Sequence, residues 1–283
     1  VRNFEIGTAG AGDLATLREW AADEGWNPGD RDLTAFQAAD PRGFLVGRLD
    51  GEPVASVSAV RHGPGFGFLG LYIARPQVRG QGYGMRMWRA AMDRLGGRNV
   101  GLDGVVAQQE NYRRSGFHHA WNHLRYEGTV PVSAAEVPGG TVLVDGRSLP
   151  FAVLADHDRR HFPGERDAFL SQWVTQPAHT SLAAVGDGGL RGFAVARPAA
   201  RGTRVGPLHA DSEAVAHALL TGLAATAPPA PLVLDVPDVN APALRLVERL
   251  GFTPVFECAR MYTGPVPDTD TSGVFGVTSI EVG

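Results

Sequence analysis

Gly80, Gly82 and Gly84 stand at alternate positions in the stretch Arg75-Pro76-Gln77-Val78-Arg79-Gly80-Gln81-Gly82-Tyr83-Gly84-Met85. A glycine-rich turn that opens a helix leaves backbone N–H groups without partners, next to the positive end of the helix dipole. Such groups bind phosphate oxygens, and missing side chains let a phosphate approach the main chain closely. The phosphate loop of NTPases is ruled out because it needs a lysine after its last glycine, and every basic residue here is arginine. The dinucleotide fingerprint fails on its third glycine, whose place is taken by Met85 or Met87, although Asp103 supplies the acid about twenty positions on. An ordinary strand-to-helix turn is the plain alternative.

The elements that must position this loop are legible around it. Residues 66–73 form an apolar run that reads as a strand, and Met85, Trp88, Met92 and Leu95 recur at the three- and four-residue steps of an amphipathic helix. Residues 3–7 read as a first strand. Asp13 is expected to cap a helix carrying Leu14, Leu17, Trp20 and Ala21 on one face, which ends at Glu24-Gly25-Trp26-Asn27-Pro28-Gly29. A hairpin spans 43–60 around Asp50-Gly51, a strand 99–106, a short helix 109–114, and one or two further strands follow Gly116-Phe117.

Composition bounds the function. The chain has 283 residues, 43% hydrophobic and 20% charged, with a net charge of −4, which suits a globular protein and gives no sign of a nucleic-acid or membrane partner. Without lysine there is no Schiff-base chemistry. The single cysteine, Cys258, allows no internal disulfide and reads as a core residue. With no export signal or long apolar run in view, a cytoplasmic protein is expected.

The chain also repeats itself. Leu102-Asp103, Gly116-Phe117 and Arg125-Tyr126 return as Leu234-Asp235, Gly251-Phe252 and Arg260-Met261, and the 44–60 hairpin returns at 182–195. One long repeat means a duplicated domain. Where the second copy should have its glycine loop, Val205-Gly206-Pro207-Leu208-His209-Ala210 runs into Asp211-Ser212-Glu213, whose acids repel phosphate. A helical segment is expected over 159–173, with Phe162, Phe169 and Trp173 on one face, and a final strand over 274–282.

The spacing Arg79-x-x-Gly82-x-Gly84, with Pro76 three residues before the arginine, resembles the pyrophosphate loop of the GNAT superfamily of acyl-CoA N-acyltransferases. The element order over residues 3–128 is similar to a GNAT domain, and the whole chain resembles bacterial tandem GNAT proteins with an active amino half and a degenerate carboxyl half. The resemblance implies an α+β fold, a mixed and mostly antiparallel sheet with flanking helices. It divides the chain into a CoA-binding domain at 1–128, a linker at 129–140 and a second GNAT-like domain at 141–283. It implies acetyl-CoA as co-substrate and direct acyl transfer to the amine of a small metabolite. A peptide or protein acceptor and an acyl-CoA sensor without turnover are the alternatives. Two such domains side by side would mimic a dimer, so a monomer or a homodimer is expected.

By the same resemblance Leu71, Tyr72 and Ile73 would line the thioester. Arg79, Gly80, Gln81, Gly82, Tyr83, Gly84 and Met85 would hold the pyrophosphate. Tyr112, four residues before Gly116-Phe117, would protonate the departing thiolate, a phenol and an alkyl thiol having pKa values within about two units. The family's usual asparagine seven residues earlier is Val105 here, and the position matching Tyr112 in the second copy is Val247. No carboxylate lies in 66–73 to serve as general base, so Asp103 ranks first, with Glu24, Glu110 and His118, His119 or His123 behind it and a water chain as the remaining option. The three histidines are not expected to hold a metal, since neighbours on a strand face opposite ways. Acceptor selection falls to Glu24, Trp26 and Asn27 in the helix-loop region over the cleft, with Trp20, Trp121 and Tyr126 as further candidates.

Overall fold

Several strands are buried along nearly their whole length instead of alternating, which requires cover on both faces of the sheet. The computed structural model describes residues 2–131, 136–226 and 230–283, so 132–135 of the expected linker lie outside the described residues. The first half comprises β1 (Phe4–Thr8), α1 (Ala11–Asp23), α2 (Asp32–Ala39), β2 (Phe44–Leu49), β3 (Glu52–His62), β4 (Phe66–Ala74), α3 (Tyr83–Leu95), β5 (Asn99–Val105), α4 (Gln109–Arg114) and β6 (His118–Gly128). The second half repeats it with β7 (Thr141–Asp145), α5 (Phe151–His161), α6 (Asp167–Thr175), β8 (Thr180–Gly186), β9 (Gly189–Pro198), β10 (Thr203–Ala210), α7 (Glu213–Thr226), β11 (Leu232–Pro237), α8 (Ala241–Arg249) and β12 (Thr253–Tyr262), then a short β13 (Val274–Gly276).

Helix α3 lays Met87, Trp88, Ala91 and Leu95 on one face of the first-half sheet, against Val57, Leu69 and Leu102. The opposite face is covered jointly. Leu17, Trp20 and Phe36 of α1 and α2 share one core with Phe169 and Trp173 of α6, Phe36 and Trp173 stacking at 5.7 Å. The two halves are thus packed through their helices as well as through the sheet.

The strands form one sheet in the order β1-β2-β3-β4-β5-β12-β6-β11-β10-β9-β8-β7, with β13 against β10. Each half gives its last strand to the other. Strand β12 lies between β5 and β6, and β6 pairs with β11. Apart from the parallel β4–β5 and β10–β11 pairs, the ladders are antiparallel, giving the α+β tandem architecture.

Reciprocal ion pairs pin the exchange. Asp103 on β5 faces Arg260 on β12 and accepts two hydrogen bonds from its guanidinium at 2.7 Å each. Asp235 on β11 faces Arg125 on β6 at 2.7 and 3.1 Å, and Arg204 on β10 adds a third bond at 2.5 Å. The repeated Asp and Arg positions of the sequence are therefore partners across the halves.

Three local expectations change, and one helix was not expected. Gly10, not Asp13, is the N-cap of α1, and the Asp13 carboxylate reaches back to accept from the Gly10 N–H at 2.8 Å. Helix α2 lies in a stretch too short and too mixed in composition to stand out by periodicity. The segment 159–173 contains two helices, broken at Phe162, whose ring carries the Arg166 guanidinium at 3.7 Å. Beyond β13, residues 277–283 are buried but irregular, threading between the halves where a last strand was expected.

Removing one member of a buried pair leaves an uncompensated charge. Arg260→Ala should destabilise the protein by about 3–5 kcal/mol, read by denaturant unfolding, while Arg260→Met combined with Asp103→Leu should recover most of that loss. Buried histidines add an acid sensitivity. Burial holds His62 and His157 down to about 3, the nearby Arg166 guanidinium for the first and His161 and Arg160 for the second acting in the same direction. Both are neutral in the folded chain while the unfolded chain takes up protons below about 6.5. Stability should therefore be full above pH 6.5 and fall steadily as pH drops towards 3, in a melting-temperature series; His62→Gln, which keeps a donor for the Val282 carbonyl, should flatten that slope.

Candidate active site

The parallel ladder between β4 and β5 runs only from Phe66–Asn99 to Leu69–Leu102, and beyond it the two strands part. The departure is built into β4: Leu71 takes a left-handed φ of 45°, its carbonyl accepts from the Ser56 hydroxyl at 2.8 Å, and the register with β3 slips between Ser56 and Ser58. A non-glycine residue in that region stores strain, a common sign of a functional position. The gap opens into a cavity of about 670 Å³ that runs from the glycine loop to the space between the halves.

At the loop end, Gly80 and Gly82 have φ of 75° and 85°, conformations that side chains disfavour, and each borders open space. Gly82 is the N-cap of α3, so the first-turn amides of Tyr83, Gly84 and Met85 have no acceptor within the helix and stand at the positive end of its dipole. A Cβ at Gly84 would lie 3.0 Å from the Tyr72 hydroxyl, which brings that phenol against the loop. This cradle fits a pyrophosphate. Gly80, Gly82, Gly84 and Met85 line the cavity together with Leu71, Tyr72 and Ile73 of β4. Gln81 instead turns its side-chain amide to the Gln77 carbonyl, at 2.9 Å, and Tyr83 packs on Phe4 at 4.7 Å.

The Arg79 side chain is committed within the protein. It donates to the Ala74 carbonyl at 2.8 Å and to the Glu24 carboxylate, tying the end of α1 to the loop. Glu24 lines the cavity, yet its charge is matched by that guanidinium.

Tyr112 projects from α4 into the same cavity, its ring stacked on Trp88 at 5.7 Å. Gly104 makes the room: a Cβ there would sit 2.2 Å from Cε2 of the tyrosine. Burial, with Tyr72 adding to it, pushes the phenol up to about 12, so it is protonated at neutral pH. The same burial would raise a thiolate emerging beside it, which limits the mismatch between donor and acceptor.

Asp103 reaches the cavity wall but is no base. Burial alone would raise it; the charge of Arg260 and its hydrogen bonds, with the His123 ring beside the carboxylate, outweigh burial and bring it to about 2. His123 takes the Trp121 indole N–H on Nε2 at 2.9 Å, leaving Nδ1–H 3.2 Å from the Asp103 carboxylate. His118 and His119 are exposed on β6. Cys258 is buried on β12, where burial raises its thiol well above the usual range.

Trp26 is half-buried and lines the acceptor end, its carbonyl accepting from Arg125 at 2.6 Å. Asn27 does not face the cavity. It is buried, with φ of 52°, and exchanges hydrogen bonds with the Arg201 backbone at 2.8 and 3.1 Å, docking the loop on the second half. Three lining residues come from beyond the first half: Phe256 of β12, and Ile280 and Glu281 of the segment after β13. The one signal for Glu281 was a lone acid in the apolar run 274–282.

Two sequence-family descriptions match the chain, "Acetyltransferase (GNAT) family" over residues 13–120 and "Acetyltransferase (GNAT) domain" over 154–276. A holothin acyltransferase from Pseudoalteromonas sp. (strain SANK 73390) is 30% identical over 268 residues, covering 94% of this chain and 90% of the relative. Among solved structures, a putative acetyltransferase from Pyrococcus horikoshii superposes with a TM-score of 0.81 at 22% identity, covering 99% of this chain and 96% of that one. A tandem GNAT protein from the clavulanic acid biosynthesis pathway gives 0.65 at 17% identity, with 93% and 100% covered. A glycine cradle ahead of a strand gap, repeated domain matches and a relative aligned along nearly the whole length agree: the chain belongs to the GNAT superfamily, as an acyl-CoA-dependent acyltransferase of the tandem type.

Proposed function

We propose that the chain moves an acetyl group from acetyl-CoA to the amine of a small metabolite by direct transfer. The observation that carries this reading is that one cavity joins the open amides at Gly80–Met85 to Tyr112 across the β4–β5 gap. The thioester supplies an activated acyl carbon. The loop amides hold the diphosphate, the parted β4 main chain at Leu71–Ile73 orients the acyl end, and the Tyr112 hydroxyl gives its proton to the leaving sulfur. The far end is walled by Trp26, Phe256 and Ile280, which supports a compact acceptor over an extended peptide. The Pseudoalteromonas relative is named for the acylation of holothin, and only the reaction type is carried over from it. Because the two halves share one sheet and one helical core, we read the chain as an internal pseudo-dimer that works as a monomer.

Thiol release from acetyl-CoA against a panel of small primary amines tests the reading; tight CoA binding with no turnover on any amine would overturn it. Tyr112→Phe should lower kcat at least tenfold while CoA affinity, read by calorimetry, stays within about twofold. Gly82→Asp places both a side chain in a left-handed position and a negative charge at the amide cradle, and should weaken CoA binding by about 100-fold or more.

A further inference from the structure

Among the described residues, three with carboxylate side chains line the cavity, and two are neutralised by arginine: Glu24 by Arg79 and Asp103 by Arg260. The third, Glu281, has no ion-pair partner among the described residues. It is 2% exposed. Its Oε2 accepts from the Ser279 hydroxyl at 2.6 Å, and its Oε1 has no hydrogen-bond partner. A buried, singly bonded carboxylate is costly unless a cationic or donor ligand completes it.

Its place along the cleft is fixed by the main chain. The Glu281 carbonyl lies against β3 and β4: the Ser58 hydroxyl of β3 donates to it at 3.4 Å, and a Cβ on Gly70 of β4 would sit only 2.1 Å away. Gly70 is the residue at which β4 leaves β5 and it precedes the strained Leu71. Residues 277–283 are held there by further ties: His62 Nε2 to the Val282 carbonyl at 3.0 Å, and Arg166 to the Gly283 carbonyl at 2.7 Å and the Thr278 hydroxyl at 2.9 Å. The second half thus brings Glu281 to the wall of the cavity that also holds the loop and Tyr112.

We propose that Glu281 is a catalytic residue of the acceptor site, binding the incoming primary amine through Oε1 and taking its proton, with Trp26, Phe256 and Ile280 selecting an amine on a flat or apolar skeleton. This rests on the acyl-transfer reading above. The nitrogen lone pair forms the C–N bond, the N–H proton passes to Glu281, the C–S bond breaks with its electron pair on sulfur, and Tyr112 protonates that sulfur. Glu281 then returns its proton through solvent to Tyr112, leaving an amide and free CoA thiol. Burial raises the carboxyl, while Arg204, the Ser279 hydrogen bond and Arg125 pull it back and Asp32 adds to the rise. A carboxylate more basic than usual suits this role.

The test compares the full chain with Glu281→Gln, using acetyl-CoA and small aromatic primary amines that the unaltered protein turns over. Expected are a fall in kcat of about 100-fold or more, CoA affinity and melting temperature unchanged, and loss of the acidic limb of the kcat–pH profile. Ser279→Ala provides a second reading that leaves Glu281 in place. It removes the bond that favours the charged form and should move the acidic limb to higher pH, with kcat at high pH retained. A Glu281→Gln protein within threefold of the unaltered rate and with the same pH profile overturns the assignment while acyl transfer stands. An acidic limb that Ser279→Ala does not move overturns it also. Failure of the unaltered protein on every amine, with CoA bound, removes the acyl-transfer reading and this assignment together.

Discussion

The structure depends on two buried carboxylate–guanidinium pairs, Asp103 with Arg260 and Asp235 with Arg125, each joining a strand of one half to a strand of the other. Buried ion pairs contribute little net stability compared with apolar packing, but they penalise any arrangement that separates them. Here they set the register of β12 on β5 and of β6 on β11, since a slip by one residue would turn every side chain to the wrong face and strand both charges. The surrounding rings reinforce the choice: Arg260 lies over Phe68 at 5.1 Å and Arg125 over Phe256 at 4.9 Å.

That constraint shapes the cleft. Strand β12 covers the edge of β5, so the mouth of the cavity is built by both halves, with Phe256 brought in on the exchanged strand. The docked loop at Asn27 and the buried Asp32–Arg197 pair at 2.8 Å close the same side. A copy that has lost its own glycine loop therefore still shapes the ligand site of its neighbour, which gives a physical reason for its retention.

Much of the first half was legible in the sequence because its signals are local. The glycine loop, the apolar 66–73 strand and the stripe on α3 each announce themselves within a few residues, and the structure gathers all three around one cavity. The repeat was equally legible, since Asp, Gly-Phe and Arg recur in order. The strand exchange was not, and the reason is chemical symmetry: Asp103 is satisfied equally well by Arg125 or by its repeat Arg260, so the sequence pattern is unchanged by swapping them. Asp103 looked like a base for the same reason, its neutralising partner lying 157 residues away. Asn27 was expected at the acceptor end because it stands beside Trp26 in the loop over the cleft, but its side chain is taken up by the Arg201 backbone of the second half. Glu281 passed unnoticed because it stands far along the chain from every motif of the cleft.

The exchange has a consequence for the order of biosynthesis. During translation the edge of β5 is complete long before β12 has left the ribosome, and β6 emerges first with the same guanidinium chemistry to offer. The nascent amino half meets its early suitor before the strand that finally lies there, and must either wait with an open edge or form the self-contained pairing and later undo it. Maturation of this protein is thereby tied to the arrival of β12, at Thr253–Tyr262 of 283 residues, whatever the speed of the chemistry it then performs.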